Sequence, residues 1–413
     1  MEFLTNNVPQ RAFITGTYSL FVYALTISGC GSAIPGVGEL SNKGMLVDIQ
    51  LVVDKLIAYG IHQPQTMKPV ACDFASRHLG SAFLAVGDVD DFEIGFGWKK
   101  EGSERISELA IVKVAVDKAL KDAGITAAEL DSIFYVSPCI RQQRGSGVDM
   151  GLHHCMREFP KLFPGLRPDC LLFHQDSGCS GVVPPFRLAK PMLESGEHKN
   201  ILVVCASYGG GMRRNAKMVG KANDLSEWIS YILFGDGASA FVLSGAQSPE
   251  ALASKTANGA CYELLMIDSF TDSSFPIMEM NVDIMKAEYA ESDVIVNRLH
   301  LNPDAAKMVF TKTLLEWMKK HKIQPSALEA LFVHQPNGFV ISEIQKQVGS
   351  DKVLNIAGKY GNLVAASLGT QFAEQLGKTQ LADKGFIAGF TLGAHAGMTY
   401  GGFVAQVHRA RKE

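Results

Sequence analysis

The pattern of apolar and polar positions alternates between helical spacing and short, nearly continuous apolar runs. Residues 104–124 read as an amphipathic helix: Ile106, Leu109, Val112, Val116 and Leu120 share a face, and Gly124 stops it. A strand over 130–136 follows and runs into Ser137-Pro138. The same order returns much later. Residues 307–320 are helical, with Leu314 and Met318 one turn apart, and a strand over 328–333 leads into His334-Gln335-Pro336. Leu130 aligns with Leu328, and Pro138 with Pro336. A second echo relates Phe234-Gly235-Asp236-Gly237-Ala238, a glycine turn between apolar strands, to Gly397-Met398-Thr399-Tyr400-Gly401-Gly402. Two halves with one element order predict an internal duplication. Helices alternating with strands predict α/β layers, with a mostly parallel sheet in each half. Residues 244–259, rich in Ser, Ala and Gly and holding Pro249, separate a first half at 21–245 from a second at 260–413. Residues 1–20 are then an N-terminal extension.

Three further stretches bear on this outline. Residues 43–60 carry Leu46, Ile49, Val53 and Leu56 at helical spacing, and 67–97 read as loop with short pieces of structure. Residues 12–31 hold no charge, and Ile27-Ser28-Gly29-Cys30 has the form of a lipoprotein cleavage box. Thr15, Thr17, Tyr18 and Ser19 dilute that signal, and a first core strand over 22–28, ending in a glycine turn, accounts better for the run. Gly29-Cys30-Gly31 lacks the third glycine of a dinucleotide fingerprint, and Pro35 interrupts the helix that would receive the pyrophosphate.

Composition narrows the class. A chain of 413 residues, 47% hydrophobic and 20% charged, can bury a large core. A net charge of −3 without a basic run points away from nucleic acid, and no membrane association is expected. The 8 cysteines are scattered with no C-x-x-C pair, which predicts no disulfide framework and a cytoplasmic location. His153-His154-Cys155 are adjacent in sequence, and adjacent residues rarely ligate one ion together, so no metal is expected.

The stretch 171–181 is the chemical centre of the sequence. An apolar run reaches Asp176-Ser177-Gly178-Cys179-Ser180-Gly181, and a helical pattern follows. A thiol at a strand–helix corner gains thiolate character from the helix N-terminus. The same cysteine is also readable as a buried structural thiol. Pro184 and Pro185 remove two N–H groups, so the helix should bend or start late. His334 ends the second-half strand, where sites assemble in α/β sheets, or it is a structural histidine. Asn362, in Tyr360-Gly361-Asn362 before Ala365-Ala366-Ser367, is either a helix cap or an amide donor to a developing oxyanion.

Taken in order, the Cys179 stretch, Phe234-Gly235-Asp236-Gly237-Ala238, Val333-His334-Gln335-Pro336-Asn337 and the Asn362 stretch resemble the β-ketoacyl-acyl-carrier-protein synthase III family, over residues 22–406. The resemblance implies a duplicated thiolase-like fold, two similar layered halves in an αβαβα arrangement, and a homodimer. It implies Cys179, His334 and Asn362 as the catalytic set. The oxyanion hole would come from the backbone of Cys179 and of the C-terminal glycine stretch, taken as Gly397. It implies acyl-carrier-protein or acyl-CoA thioesters as substrates and no cofactor. The expected reaction is a decarboxylative Claisen condensation of a Cys-bound acyl group with a malonyl- or β-ketoacyl-thioester, in polyketide or other specialised fatty-acid-derived synthesis. Ester- or amide-forming acyl transfer and a ketosynthase-like scaffold subunit are the alternatives. The chain departs from the family after Asn337, where Gly338-Phe339 stands in place of an arginine, and the early Trp/Arg pair is missing around 51–61. Acetyl-CoA priming is therefore not expected. Arg213 and Arg214, with Lys217 and Lys221, form a basic patch read as a carrier-protein contact, Phe339 is a candidate substrate contact, and His395 reads as a solvated loop histidine within reach of the site.

Overall fold

The computed structural model describes residues 24–58, 83–96, 98–137, 154–175, 177–208, 233–246, 248–272, 280–285, 294–299, 303–376, 381–394 and 398–410. The first half comprises β1 (Ala24–Ala33), β2 (Met45–Asp48), α1 (Ile49–Ala58), β3 (Phe83–Val86), α2 (Val89–Phe96), α3 (Glu108–Ala123), β4 (Ser132–Val136), α4 (His154–Leu162), β5 (Leu171–Gln175), α5 (Val183–Glu194), β6 (Asn200–Ser207) and β7 (Gly237–Ala246). After α6 (Pro249–Ala253) come β8 (Ala260–Asp272), β9 (Met280–Met285), β10 (Val294–Leu299), α7 (Pro303–Lys320), β11 (Leu328–Val333), α8 (Gly338–Val348), α9 (Ala357–Tyr360), α10 (Ser367–Leu376), β12 (Phe386–Ala394) and β13 (Met398–Arg409).

The strand order carries the duplication. In the first half it is β5-β4-β6-β7-β1; β4 runs parallel to β5 and β6, and β7 antiparallel to β6 and β1. In the second half it is β11-β12-β13-β8; β11 runs parallel to β12, and β13 antiparallel to β12 and β8. The strands at Ile133 and Leu331 therefore occupy equivalent places, each after a helix and a short 3-10 turn. The counterpart of β5 is reduced to a backbone segment, in which Lys352 O accepts from Leu331 N at 2.9 Å. Each sheet is mixed rather than mostly parallel, because the last strand of each half returns antiparallel beside its first. Pairing of Thr26 with Glu263 and Ile27 with Tyr262 joins the halves into one nine-stranded sheet.

Alternation along the strands sorts side chains into layers. Phe134, Val136, Ile201, Val203, Phe241 and Leu243 face a central core with Phe332, Ile387, Phe403 and Ala405. The helices in that core are α5, through Val183, Phe186, Ala189 and Leu193, and α10, through Leu368 and Phe372. The opposite face of the first-half strands packs on α3 and α4, and that of the second-half strands on α7 and α8. The result is αβαβα.

Three local expectations are revised. Helix α3 starts at Glu108, capped by Ser107, so Ile111, Ala115, Ala119 and Ala123 share the buried face in place of Leu109. Residues 45–48 are a strand paired with β3, and only 49–58 are helical. Strand β1 does not stop at the glycines but runs on to Ala33 with a bulge near Ser28. A Cβ on Gly29 would lie 2.3 Å from Ala119 O, and one on Gly31 2.2 Å from Ala115 O. Gly29-Cys30-Gly31 is thus the surface on which α3 rests, in the middle of a core sheet.

Candidate active site

Cys179 lies on a 3-10 turn, Gly178–Ser180, between β5 and α5. Ser180 N donates to Ser177 O at 3.0 Å and Ser180 Oγ to the same oxygen at 2.5 Å, which closes the turn tightly. Gly181 follows at φ 49°, ψ −116°, a conformation open to glycine. The thiol therefore sits ahead of the helix rather than on its first turn. Helix α5 starts late, at Val183, with Pro184 and Pro185 in the first turn, where a missing N–H breaks no helical bond. It also leaves fewer donors to face an anion than the sequence suggested. The second-half helix α10 repeats the device: a 3-10 turn, Val364–Ala366, immediately precedes it.

These two turns meet. A Cβ on Gly181 would stand 2.8 Å from Ala365 O and 3.4 Å from Ala365 Cα. Strand β12 closes the third side: a Cβ on Gly393 would lie 2.4 Å from Ser180 N and 2.9 Å from Cys179 N. Only glycine lets the strand end approach the nucleophile's backbone so closely. The oxyanion-hole backbone that the sequence assigns to Gly397 lies outside the described residues, as do His395, Arg213 and Arg214. The signal for Gly393 was its place two residues beyond Thr391 on the face of β12 that also carries Ile387.

His334 ends β11, with its N–H on Phe390 O at 2.9 Å. Its side chain is buried, and Nδ1 has no hydrogen-bond partner among the described residues. Burial pushes its pKa down to about 3 against the opposing pull of a backbone hydrogen bond with Val364. At neutral pH His334 is uncharged, and it offers a hydrogen bond without an imidazolium. Gln371 of α10 fixes the strand beneath it: Oε1 accepts from Val333 N at 2.8 Å and Nε2 donates to Leu331 O at 3.1 Å. Gln335 reaches the other way, accepting from Ile356 N and Ala357 N and donating to Leu354 O.

Asn362 is buried, and its backbone is locked between Leu233 O (2.8 Å) and Gly235 N (2.9 Å). Its Oδ1 accepts from Val364 N at 2.8 Å, so the amide orientation is set and Nδ2 is the group left to donate outward. The Phe234-Gly235-Asp236 landmark is the brace for this residue. Phe234 bridges to Asn362, Gly235 leaves room for Tyr360 O, and Asp236 Oδ2 accepts from Gly87 N at 2.7 Å.

Phe339 is solvent-exposed in the first turn of α8, which Asn337 caps through Val340 N. Cys179 is partly buried. Burial raises the thiol pKa of Cys30 and Cys205, and those of Cys170 and Cys261 to about 11 and about 12. These four stay protonated and are poor nucleophiles.

A duplicated αβαβα molecule with a cysteine turn and an asparagine at the heads of its two central helices, and a histidine at the end of β11, has the thiolase-fold architecture. The comparisons agree. The model for 3-oxoacyl-[acyl-carrier-protein] synthase III matches residues 173–260, and the model for its C-terminal part matches 318–407. The β-ketoacyl-[acyl-carrier-protein] synthase III of Staphylococcus haemolyticus is 25% identical over 313 residues, 74% of this chain and 85% of the relative. That of Clostridium perfringens is 24% identical over 314 residues, 72% and 83% of the two chains. Among solved structures, Xanthomonas campestris OleA with bound lauric acid and lauroyl-CoA superposes with a TM-score of 0.68 at 15% identity, covering 93% of this chain and 99% of that one. The Aquifex aeolicus 3-oxoacyl-[acyl-carrier-protein] synthase III gives 0.62 at 17% identity, covering 92% and 99%. Over those two stretches the chain is similar to the β-ketoacyl-acyl-carrier-protein synthase III family.

Proposed function

We propose that the chain is an acyltransferase that joins two acyl units by decarboxylative Claisen condensation, with Cys179, His334 and Asn362 as its catalytic residues. The observation that carries this is a neutral histidine and an oriented amide brought to the same corner as the cysteine turn. Cys179 thiolate attacks an acyl thioester, expels the carrier thiol and holds the acyl group. The backbone N–H of Cys179 and, as the sequence assigns it, that of Gly397 are the donors this reading gives the oxyanion. A malonyl- or β-ketoacyl-thioester then binds with its thioester oxygen on His334 and Asn362. For malonyl, the bond to the carboxylate breaks, carbon dioxide leaves and the electron pair forms an enolate on that oxygen; for a β-ketoacyl-thioester, the C–H bond between the two carbonyls breaks, water takes the proton and the pair forms the enolate. The enolate carbon attacks the acyl carbonyl, the C–S bond breaks, and Cys179 thiolate returns. Two neutral donors stabilise each enolate, so the sequence of steps calls for no cofactor beyond the thioesters.

Acyl-CoA or acyl-carrier-protein thioesters are the proposed substrates, in polyketide or other specialised fatty-acid-derived synthesis, in the cytoplasm. Gly338-Phe339 in place of an arginine supports that context over acetyl-CoA priming. A homodimer is supported by β5, which ends the large sheet and exposes Leu171 (48%) and Phe173 (38%) on one face. Intact-protein mass spectrometry tests the central reading: acyl thioesters should add one acyl mass to the wild type and none to Cys179→Ala. Equal labelling of both proteins removes Cys179 from the mechanism.

A further inference from the structure

Among the described residues, Lys322, Val364 and Lys384 are non-glycine residues at positive φ. The two lysines are exposed, whereas Val364 is buried. At φ 46° it holds a β-branched side chain in the left-handed region, which such residues rarely adopt unless the surroundings over-determine it. What surrounds it is the site. Its N–H closes an Asx turn onto Asn362 Oδ1 at 2.8 Å, its backbone also hydrogen-bonds His334, and the next residue, Ala365, packs on Gly181 beside the nucleophile.

We propose that Val364 is a positioning residue whose main chain, held in the left-handed conformation, aligns the Asn362 amide and the His334 ring as one donor pair for the extender's thioester oxygen. The proposal rests on the condensing-enzyme reading above. With Ala365 held against Gly181 and α10 held in the core, a right-handed Val364 would have to rotate the Leu363–Val364 peptide and turn its N–H away from Asn362. The amide could then flip and present Oδ1, an acceptor, where an enolate oxygen develops. Two acceptors would face each other, and the enolate would lose a donor and gain a repulsion. The side chain has no part in this, so the role belongs to the peptide group.

Two variants separate the peptide group from the side chain. Replacing Val364 by its α-hydroxy acid through nonsense suppression turns the N–H into an ester oxygen and keeps the isopropyl group. Val364→Gly keeps the N–H and adopts positive φ without strain. The ester variant should lose malonyl-thioester decarboxylation kcat by about tenfold or more, with KM and the acylation rate of Cys179 unchanged. The glycine variant should stay within about threefold of wild type in every step. Crystal structures should show the Asn362 amide bonded to residue 364 in wild type and Val364→Gly, and rotated in the ester. An ester variant with full decarboxylation, equal losses in acylation and decarboxylation, or a glycine variant as impaired as the ester would each overturn the proposal. A wild type that takes up acyl groups but never releases carbon dioxide would instead overturn the condensing-enzyme reading. The crystal structures would then decide the positioning role, an unrotated amide in the ester ruling it out.

Discussion

Single residues divide the work of the site, and substitution can separate them. Asn362→Ala should still accept one acyl mass on Cys179 and should lose malonyl decarboxylation by roughly 10², the usual loss when one such donor is removed. Asn362→Asp is the sharper variant. It keeps an oxygen for Val364 N–H but replaces the outward NH2 by an anion, so acylation should survive and decarboxylation should fall at least as far. Single-turnover kinetics with radiolabelled malonyl thioester reads both; a condensing Asn362→Asp would reduce this residue to a cap. The three proposed catalytic residues stand out by type and place: a thiol among glycines, a histidine at a strand end, an amide in a glycine turn. Gly393 left only its place on the core face of β12 as a signal, and Val364 and Gln371 left none, because they act through main-chain hydrogen bonds that no local pattern records.

At the scale of elements, two strand ends behave differently. Gln371 supplies β11 with the hydrogen bonds a neighbouring strand would give. Gln371→Leu would strand a buried N–H and a buried C=O at about 1–3 kcal/mol each. It should lower the chemical-denaturation midpoint and, by loosening the strand that carries His334, slow condensation more than acylation. Equal stability with unchanged rates would show that the amide contributes nothing. Among the described residues strand β5 has no such substitute. Phe173→Lys places a charge on its exposed face, where Phe173 stacks on Phe134 at 4.7 Å, and should yield a monomer by light scattering if β5 carries the homodimer. Helical periodicity identified α3 and the repeated helix–strand order. It missed the strand at 45–48, because Met45-Leu46-Val47-Asp48 is too short to separate the two periods.

At the scale of the whole molecule, one buried group links the site to stability. The unfolded chain protonates His334 near its ordinary value of 6.5, whereas the folded chain does so only near 3. Between those values the unfolded state binds the extra proton. The contribution is whole above pH 6.5 and is lost on acidification toward pH 3, at up to roughly 1.4 kcal/mol per pH unit. Urea denaturation at pH 7 and pH 4.5 should show a smaller difference for His334→Gln than for wild type, and identical differences would assign the acid sensitivity elsewhere. The duplication itself was readable because both halves repeat helix, turn and strand. The mixed strand directions were not, since direction follows from how each half closes on its own first strand. That closure leaves the halves unequal. Among the described residues the first half ends the large sheet in a strand with no further partner, and the second ends it in a strand already satisfied by Lys352 and Gln371. In assembly terms this gives the large sheet a valency of one if copies join edge to edge: each would spend its β5 end on the other, and rising concentration would fill a two-fold pair and stop short of a fibre.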